Sequence, residues 1–299
     1  MTRLRERFGA LLLDLDGTLY RGNDVIPGAP QALSGATSPQ ALMYVTNNAS
    51  RSAATVAGHL AELGFAATEN EVVTSAQAAA HVLAGRLSPG ATVLVVGTDD
   101  LAAEVERVGL RPIRRFDGAA PDAVVQGHSP QTAWPDLAEA AYALRAGALW
   151  VAANTDATLP NERGLAPGNG SMVAALRAAT DLEPTVAGKP YAPLLEDALE
   201  RAGTRDALVV GDRLDTDIDG ALCVHLPSLL VLTGVSTLED LRRRPADRLP
   251  TYVAESLDAL NHPVAQTNPL PTDTKDIADR LAERLRQHPG RAVALTRWT

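Results

Sequence analysis

The chain has 299 residues, of which 45% are hydrophobic and 21% are charged. At roughly 150 residues per domain, this length predicts about two domains, and the composition excludes an intrinsically disordered chain and a disulfide scaffold. The net charge of −9 argues against general binding of nucleic acid or of anionic membranes, because both would repel an acidic surface.

Short apolar runs alternate with helical patterns along most of the chain. The runs are nearly continuous in apolar residues, as are strands buried on both faces of a sheet. Strands are predicted at 10–14, 42–46, 92–96, 123–126, 149–152, 207–210 and 228–232. Helices are predicted at 51–63 and 190–201, followed by the stop residues Gly64 and Gly203. This alternation predicts an α/β fold with a parallel sheet, whose ligands bind beyond the carboxyl ends of the strands.

The last part of the chain has a different composition. Residues after His262 are typical of a linker, and a short amphipathic helix follows with Ile277, Leu281 and Leu285 on one face. The segment 263–299 is too short to bury a core of its own. We therefore expect it to dock on the main body or to be mobile.

Cysteine content and hydropathy bear on the compartment. The single Cys223 cannot form an internal disulfide, which fits a reducing compartment, and we expect it to be a small buried apolar residue. The apolar stretch 10–13 is interrupted by Asp14 and Asp16 too early for a signal peptide. No segment approaches the roughly 20 apolar residues of a membrane span. These features predict a cytoplasmic protein.

The first predicted strand runs directly into acidic residues. Asp14 and Asp16 are two positions apart, so both carboxylates point to the same side of an extended backbone. Gly17 then permits a sharp turn. A simple turn at Asp16-Gly17 is the structural alternative to a functional site.

A second acidic segment, 212–219, follows the predicted strand at 207–210. It contains four Asp residues in eight positions. Asp favours the positive end of a helix dipole, so a capped helix start can explain Asp215 and Asp217. It does not explain Asp212, which comes directly after the strand and Gly211.

Carboxylates that converge at one sheet edge require a compensating charge. If Asp14, Asp16 and Asp212 meet, each close pair repels by about 4 kcal/mol at ~4 Å and an effective dielectric near ~20. Mg²⁺ is the natural partner, because it takes oxygen ligands from a few carboxylates, water and a phosphate. Lys189, between Gly and Pro, and the Thr-Asn pair after the strand at 42–46 would then serve that phosphate.

Four motifs, taken in order, resemble those of haloacid dehalogenase-superfamily phosphatases. They are Asp14-Leu-Asp-Gly-Thr, Thr46-Asn-Asn, Gly188-Lys-Pro and Gly211-Asp-Arg-Leu-Asp-Thr-Asp. The last three are similar to the subgroup of p-nitrophenyl phosphatases, phosphoglycolate and glycerol-phosphate phosphatases and NagD-type nucleotidases. The resemblance covers residues 7–260, and the chain as a whole is similar to actinobacterial glycerol-3-phosphate phosphatases.

The resemblance implies a role for each acidic motif residue. Asp14 would be the nucleophile that forms an aspartyl-phosphate, and Asp16 would be the general acid and then the general base. Asp14, the backbone carbonyl of Asp16 and Asp212 would hold Mg²⁺. Asp217 would support the ion from its outer coordination sphere.

The remaining motif residues are implied to contact the substrate. Thr46, Asn47 and Lys189 would bind the transferring phosphoryl group. Asn154 and Asp156 resemble a substrate-facing region of the subgroup, and a purely structural loop is the alternative for that region.

The same resemblance implies a domain organisation. A Rossmann-like parallel-sheet core would comprise 1–76 and 187–262, with an inserted α/β cap at 77–186 that selects the substrate. The segment 263–299 would be a C-terminal extension. The oligomeric state stays open, with a homodimer through the cap as one alternative.

The implied activity is Mg²⁺-dependent hydrolysis of a small phosphomonoester, with glycerol 3-phosphate as the first candidate. Phosphoglycolate, a nucleotide and pyridoxal phosphate are the alternatives. A calcium-binding module is an alternative from another class, because Asp215, Asp217, Asp219 and Gly220 match the first positions of an EF-hand loop. The loop's last ligand should be Glu, and Leu226 stands there.

The fourth motif departs from the family pattern at its end. Its helix commonly continues with Asn, a small residue and Gly, whereas this chain has Cys223, Val224 and His225. Gly usually makes the left-handed helix stop. His225 therefore predicts a different or strained helix end.

Overall fold

The computed structural model describes residues 2–34, 40–161, 163–265 and 276–295. The chain forms two compact units. The first comprises Met1–Val45, Ala57–Val72 and Ala198–Thr299, and the second comprises Thr46–Val56 and Val73–Asp197. Across the described residues, no helix has both the length and the apolar character needed to cross a membrane.

Strands and helices alternate through both units. The strands are β1 (Ala10–Leu13), β2 (Tyr20–Arg21), β3 (Asp24–Val25), β4 (Ala41–Thr46), β5 (Val72–Thr74), β6 (Thr92–Val96), β7 (Arg111–Ile113), β8 (Ala123–Gln126), β9 (Leu149–Ala152), β10 (Thr158–Asn161), β11 (Gly164–Pro167), β12 (Thr185–Val186), β13 (Ala207–Gly211), β14 (Ser228–Val231), β15 (Tyr252–Ala254) and β16 (Val293–Ala294). The helices are α1 (Ala29–Ser34), α2 (Ala53–Glu62), α3 (Ser75–Ala84), α4 (Asp99–Arg107), α5 (Trp134–Arg145), α6 (Asn169–Thr180), α7 (Ala192–Ala202), α8 (Asp219–Cys223), α9 (Leu238–Leu241) and α10 (Ile277–Gln287).

The sheet of the first unit has the strand order β16-β15-β14-β13-β1-β4-β5. β1 pairs in parallel with β13 on one side and with β4 on the other, and Leu13 lies opposite both Val210 and Tyr44. All four residues of β1 are buried. Because β1 and β13 end side by side, the residues that follow them emerge at the same carboxyl edge of the sheet.

The second unit has its own parallel sheet, in the order β12-β9-β8-β6-β7, and a separate hairpin of β10 and β11. Each strand pair of the five-stranded sheet is parallel, whereas the two strands of the hairpin are antiparallel. A buried cluster lies between this sheet and the helices α5 and α6, with Trp150 and Leu144 among its larger members. This unit therefore has a core of its own.

The predicted α/β class is confirmed, and each predicted strand is present with ends within one residue of its prediction. The predicted helix stops are also in place, since Gly64 and Gly203 have φ values of +89° and +68°. Most of the unpredicted strands, such as β12 and β16, have two or three residues, and the four-residue strands β10 and β11 of the separate hairpin were also not predicted. Two or three residues are too few to produce a periodic pattern, which explains why the shortest strands were missed.

The C-terminal segment docks on the first unit over residues 276–295. On α10, Ile277, Leu281 and Leu285 are buried in a cluster that includes Leu230 of β14 and Val253 of β15. After α10, β16 pairs antiparallel with β15. The prolines of the predicted linker, at 269 and 271, lie outside the described residues.

The helix α8 ends in a left-handed residue, as the family pattern would require, but that residue is His225 with φ +57°. Leu226 N–H donates to the Ala221 carbonyl at 2.9 Å, and His225 N–H donates to the Leu222 carbonyl at 3.1 Å. These are the two hydrogen bonds of a Schellman motif. The expectation that Cys223 is buried was wrong, because its side chain is exposed on this short helix.

Replacing His225 with Gly should stabilise the protein. A left-handed conformation costs a non-glycine residue about 1–2 kcal/mol, and the greater freedom of Gly in the unfolded chain offsets about 0.5–1 kcal/mol of that gain. We expect His225→Gly to raise the free energy of unfolding by about 0.5–1 kcal/mol in urea titrations. His288→Gly is the matched control, since His288 follows α10 with φ −132° and gains nothing from Gly. Equal effects of the two substitutions would contradict the strain at His225.

Candidate active site

Three aspartates converge at the carboxyl edge of the first unit's sheet. One carboxylate oxygen from each of Asp14, Asp212 and Asp217 lies within 4.8 Å of the other two. Asp14 follows β1, and its N–H donates to the Val210 carbonyl at 2.8 Å. Asp212 follows β13. Asp217 reaches the group from a π-helical turn at Leu214–Ile218. These three residues are called the carboxylate cluster below.

Two of the three carboxylates are fully buried, since Asp212 and Asp217 are each 0% exposed. Backbone N–H groups hold one oxygen of each. Val235 N–H donates to Asp212 Oδ2 at 2.6 Å, and Arg213 N–H donates to Asp217 Oδ2 at 3.0 Å. These backbone donors fix the orientation of both carboxylates.

Glycines pack closely around the cluster. A Cβ on Gly17 or on Gly234 would overlap the Asp212 carboxyl group, and a Cβ on Gly211 would overlap that of Asp217. Gly17 also has φ +90°, which L side chains rarely adopt. From the sequence, Gly17 was predicted only as a turn residue. The close approach of Gly234 was not predicted.

The loop after β14 lies against the Asp212 carboxylate and was not predicted from the sequence. Thr233 Oγ1 donates to the Gly17 carbonyl at 2.7 Å, and Arg21 Nε donates to the Thr233 carbonyl at 3.0 Å. The loop therefore ties the turn after β1 to the backbone that holds Asp212. A Thr-Gly pair directly after a buried strand, at the ligand-binding edge of a parallel sheet, is the signal that could have found it.

Asp16 lies outside the carboxylate cluster. Asp16 is exposed as a whole residue. The surrounding chain nevertheless removes part of the water around its carboxyl group, and this desolvation raises the pKa of Asp16. A backbone hydrogen bond from Gly22 and the charge of Arg21 act in the opposite direction and lower that pKa. Desolvation is the largest of these effects, so the net result is a raised pKa that favours the protonated form of Asp16.

The cluster suits a hard divalent cation. Its ligand atoms are carboxylate oxygens, the donors that Mg²⁺ and Ca²⁺ prefer, and they are held in place by backbone donors and enclosed by glycines. Like charges at ~4 Å repel by about 4 kcal/mol per pair at a dielectric near ~20. A bound cation would offset this repulsion.

The predicted phosphate-binding residues lie in the second unit, where the structure brings two of them together. Asn47 Oδ1 accepts a hydrogen bond from Lys189 N–H at 2.7 Å, and Asn47 Nδ2 donates to the Lys189 carbonyl at 3.0 Å. Lys189 is 3% exposed and precedes a cis peptide bond to Pro190. Thr46 is also buried, and its hydroxyl accepts from Asn48 N–H at 3.1 Å.

The two residues predicted to face the substrate contact the same segment. Asp156 Oδ2 accepts a hydrogen bond from Asn47 Nδ2 at 3.1 Å, and Asn154 Nδ2 donates to the Asn47 carbonyl at 2.6 Å. Asn154 Oδ1 in turn accepts from Asp156 N–H at 3.2 Å. Asn154 and Asp156 therefore lie beside Asn47 and Lys189.

The structure does not support an EF-hand. Asp215 forms an ion pair with Arg213 at 2.8 Å, and Asp219 pairs with Arg244 and Arg248. Of the aspartates that matched the EF-hand pattern, only Asp217 takes part in the carboxylate cluster. The segment forms a π-helical turn followed by α8 rather than a calcium loop.

Two family models match the chain. One, described as haloacid dehalogenase-like hydrolase, matches residues 11–111. The other, described as HAD-hydrolase-like, matches residues 186–260. Together they include the strands that carry the carboxylate cluster.

Curated relatives and solved structures are similar over most of the chain. The chain is 59% identical over 261 residues to the D-glycerol 3-phosphate phosphatase of Mycobacterium tuberculosis, which covers 87% of this chain and 73% of that protein. It is 37% identical over 266 residues to an acid sugar phosphatase of Staphylococcus aureus, which covers 87% and 98% of the two chains. The crystal structure of the M. tuberculosis glycerol phosphate phosphatase in complex with magnesium has a TM-score of 0.86 at 57% identity, covering 91% of this chain and 83% of that chain.

Adding a methyl group at Gly234 should disturb the carboxylate cluster. The new Cβ would overlap the buried Asp212 carboxyl group, and overpacking of this kind costs about 1–3 kcal/mol. We expect Gly234→Ala to lower the free energy of unfolding by this amount in urea. Gly58→Ala is the control, because Gly58 lies on α2 and a Cβ added there would meet open space. This substitution should raise the free energy of unfolding by up to about 1 kcal/mol, since Ala favours a helix more than Gly does. A neutral Gly234→Ala would show that Asp212 is not confined.

Proposed function

The chain belongs to the haloacid dehalogenase-like hydrolases, and on this premise we propose that it is a Mg²⁺-dependent phosphomonoesterase that hydrolyses glycerol 3-phosphate. The observation that carries the proposal is the carboxylate cluster at the end of β1 and β13. A buried group of carboxylates at this edge can both bind a cation and supply a nucleophile.

The cation site is assigned to Asp14, Asp212 and Asp217, together with the backbone carbonyl of Asp16. In this assignment Asp217, which was expected to support the ion from its outer sphere, is close enough to be a ligand itself. A bound Mg²⁺ would neutralise negative charge on the phosphoryl oxygens and on the carboxylates. The solved relative that contains magnesium supports this choice of ion.

The proposed reaction has two displacements at phosphorus. A carboxylate oxygen of Asp14 attacks phosphorus, the bond from phosphorus to the alcohol oxygen breaks, and Asp16 gives its proton to the departing alkoxide. Water then attacks the aspartyl-phosphate, Asp16 takes a proton from that water, and inorganic phosphate leaves with Asp14 restored. A covalent intermediate replaces one hard displacement with two easier ones.

The pKa of Asp16 is consistent with the first step. Desolvation raises the pKa of this carboxyl, which increases the fraction that carries a proton for the leaving alcohol. Asp14 has the opposite requirement, since it must be ionised to attack. Two carboxyl groups with different environments can therefore divide the roles of acid and nucleophile.

Lys189 and Thr46 are assigned to the phosphoryl oxygens. The lysine ammonium offers a positive charge and the threonine hydroxyl a donor, which are the groups that a phosphoryl dianion requires. Both residues are buried, and a low dielectric strengthens their interaction with charge that develops in the transition state.

The choice of glycerol 3-phosphate is supported by the 59% identity to the M. tuberculosis phosphatase of that name. Sugar phosphates are a second candidate class, which the acid sugar phosphatase relatives favour. Selection between such esters is assigned to the α/β cap at 77–186. The cytoplasmic location and the homodimer stay predictions.

The proposal is tested by phosphate release from a panel of esters. The panel contains glycerol 3-phosphate, a sugar phosphate, phosphoglycolate, a nucleoside monophosphate and pyridoxal phosphate, each assayed with Mg²⁺ and with EDTA. We expect the highest kcat/KM for glycerol 3-phosphate and loss of turnover in EDTA that Mg²⁺ restores. Asp14→Asn should lower kcat by at least about 10³-fold, because the amide is a poor nucleophile.

Asp247→Asn is the matched control, since Asp247 is exposed and lies outside the carboxylate cluster. It should keep wild-type kcat. Full activity of Asp14→Asn, or activity indifferent to EDTA, would overturn the phosphatase mechanism. A higher kcat/KM for another ester would overturn only the choice of substrate.

A further inference from the structure

We propose that Asn47 acts as a positioning residue, whose side chain holds the main chain of Lys189 rather than the phosphate. This inference deepens the proposed function and rests on it for the role of Lys189. It also assigns Asn154 and Asp156 to the support of Asn47. The three residues Asn47, Asn154 and Asp156 are called the amide bracket below.

The hydrogen-bonding capacity of the Asn47 side chain carries the argument. A carboxamide has two N–H hydrogens and one carbonyl oxygen. Its Nδ2 donates to the Lys189 carbonyl at 3.0 Å and to Asp156 Oδ2 at 3.1 Å, so both hydrogens are used. Oδ1 accepts from Lys189 N–H at 2.7 Å, and a phosphoryl dianion has no hydrogen to give it.

The orientation of this amide is fixed by its partner. A backbone N–H can only donate, so the atom of Asn47 that faces Lys189 N–H must be the oxygen. The nitrogen is then the atom that faces the Lys189 carbonyl and Asp156. A phosphate oxygen could bind this side chain only by displacing Lys189 or Asp156.

The bracket is itself held from the other side. Asn154 is 5% exposed and donates to the Asn47 carbonyl at 2.6 Å, while Ser75 Oγ donates to the same carbonyl at 2.5 Å. Asn169 Nδ2 in turn donates to the Asn154 carbonyl at 2.7 Å. The position of Asn47 is therefore set by residues of several elements in the second unit.

Gly188 shows how closely the bracket approaches the chain that carries Lys189. A Cβ on Gly188 would lie 2.6 Å from the Ala153 carbonyl and 2.6 Å from Asn47 Oδ1. Only glycine therefore allows the Gly188-Lys189 backbone to lie this close to Asn47. The contact between Asn47 and the backbone of Lys189 therefore requires both the asparagine at position 47 and the glycine at position 188.

The expected consequence of losing the bracket is a misplaced lysine. Displacement of a catalytic group by ~1 Å can lower the rate by about 10²-fold with little change in ground-state binding. We expect Asn47→Ala to lower kcat by about 10–100-fold and to change KM by less than about threefold. The Lys189 amide should exchange with deuterium about tenfold faster, since it loses its acceptor.

A charge-conserving swap separates positioning from simple loss of structure. Asn47→Asp should be at least as harmful as Asn47→Ala, because a carboxylate then faces the Lys189 carbonyl and the Asp156 carboxylate. Adding Asp156→Asn returns a donor to position 156 and restores the net charge, so the double variant should recover part of the lost kcat.

Asn70→Asp is the matched control, since Asn70 is exposed on the turn Glu69–Glu71 and undergoes the same change from amide to carboxylate. Thermal unfolding is measured for each variant, to establish that the variant is folded at the assay temperature. Deuterium exchange of the Lys189 amide is read without substrate, so it tests the bracket even if the proposed phosphatase activity is absent. An unchanged exchange rate in Asn47→Ala, or a rise in KM with unchanged kcat, would overturn the positioning role.

Discussion

Mutual repulsion among buried carboxylates is the constraint on which the candidate site depends. Asp212 and Asp217 have no contact with water, and Asp14 places a third carboxylate within 4.8 Å of both. The folded chain holds this arrangement with backbone N–H donors from Val235 and Arg213. Those donors orient the carboxylates but carry no full positive charge, so a divalent cation would complete the balance of charge.

The strands and glycines that bring these carboxylates together also limit which substitutions the surrounding positions can accept. The parallel register of β1 and β13 places Asp14 and Asp212 at the same edge, and close glycines exclude any side chain from the space beside them. In the second unit, the amide bracket confines Lys189 by the same means, a close glycine and fully used hydrogen-bonding groups. In each unit, close-packed glycines and hydrogen bonds with defined partners therefore set the positions of these residues.

The sequence predicted the central strands and the acidic residues because each has a strong local signal. Buried strands are continuous apolar runs, and Asp14 and Asp212 stand directly after two of them. The role of the loop at Thr233 was not predictable in this way, since its contacts with Gly17 arise only when distant segments fold together. The outer-sphere role of Asp217 was implied by the resemblance alone, and the π-helical turn that brings Asp217 beside Asp14 and Asp212 could not be read from the spacing of the residues. Asn154 and Asp156 were identified by resemblance, but their contact with Asn47 depends on tertiary packing.

The order of strands along the chain has a consequence for synthesis on the ribosome. β1 can pair with β4 soon after both emerge, but its other neighbour, β13, is made much later, since Ala10 lies opposite Ala207. All strands of the second unit's sheet, from Thr92 to Val186, are complete before β13 appears. The second unit can therefore fold before β13, β14, β15 and β16 of the first unit's sheet have been synthesised. Asp14 stays without Asp212 throughout that interval, so the carboxylate cluster can form only after the sheet of the second unit has been synthesised.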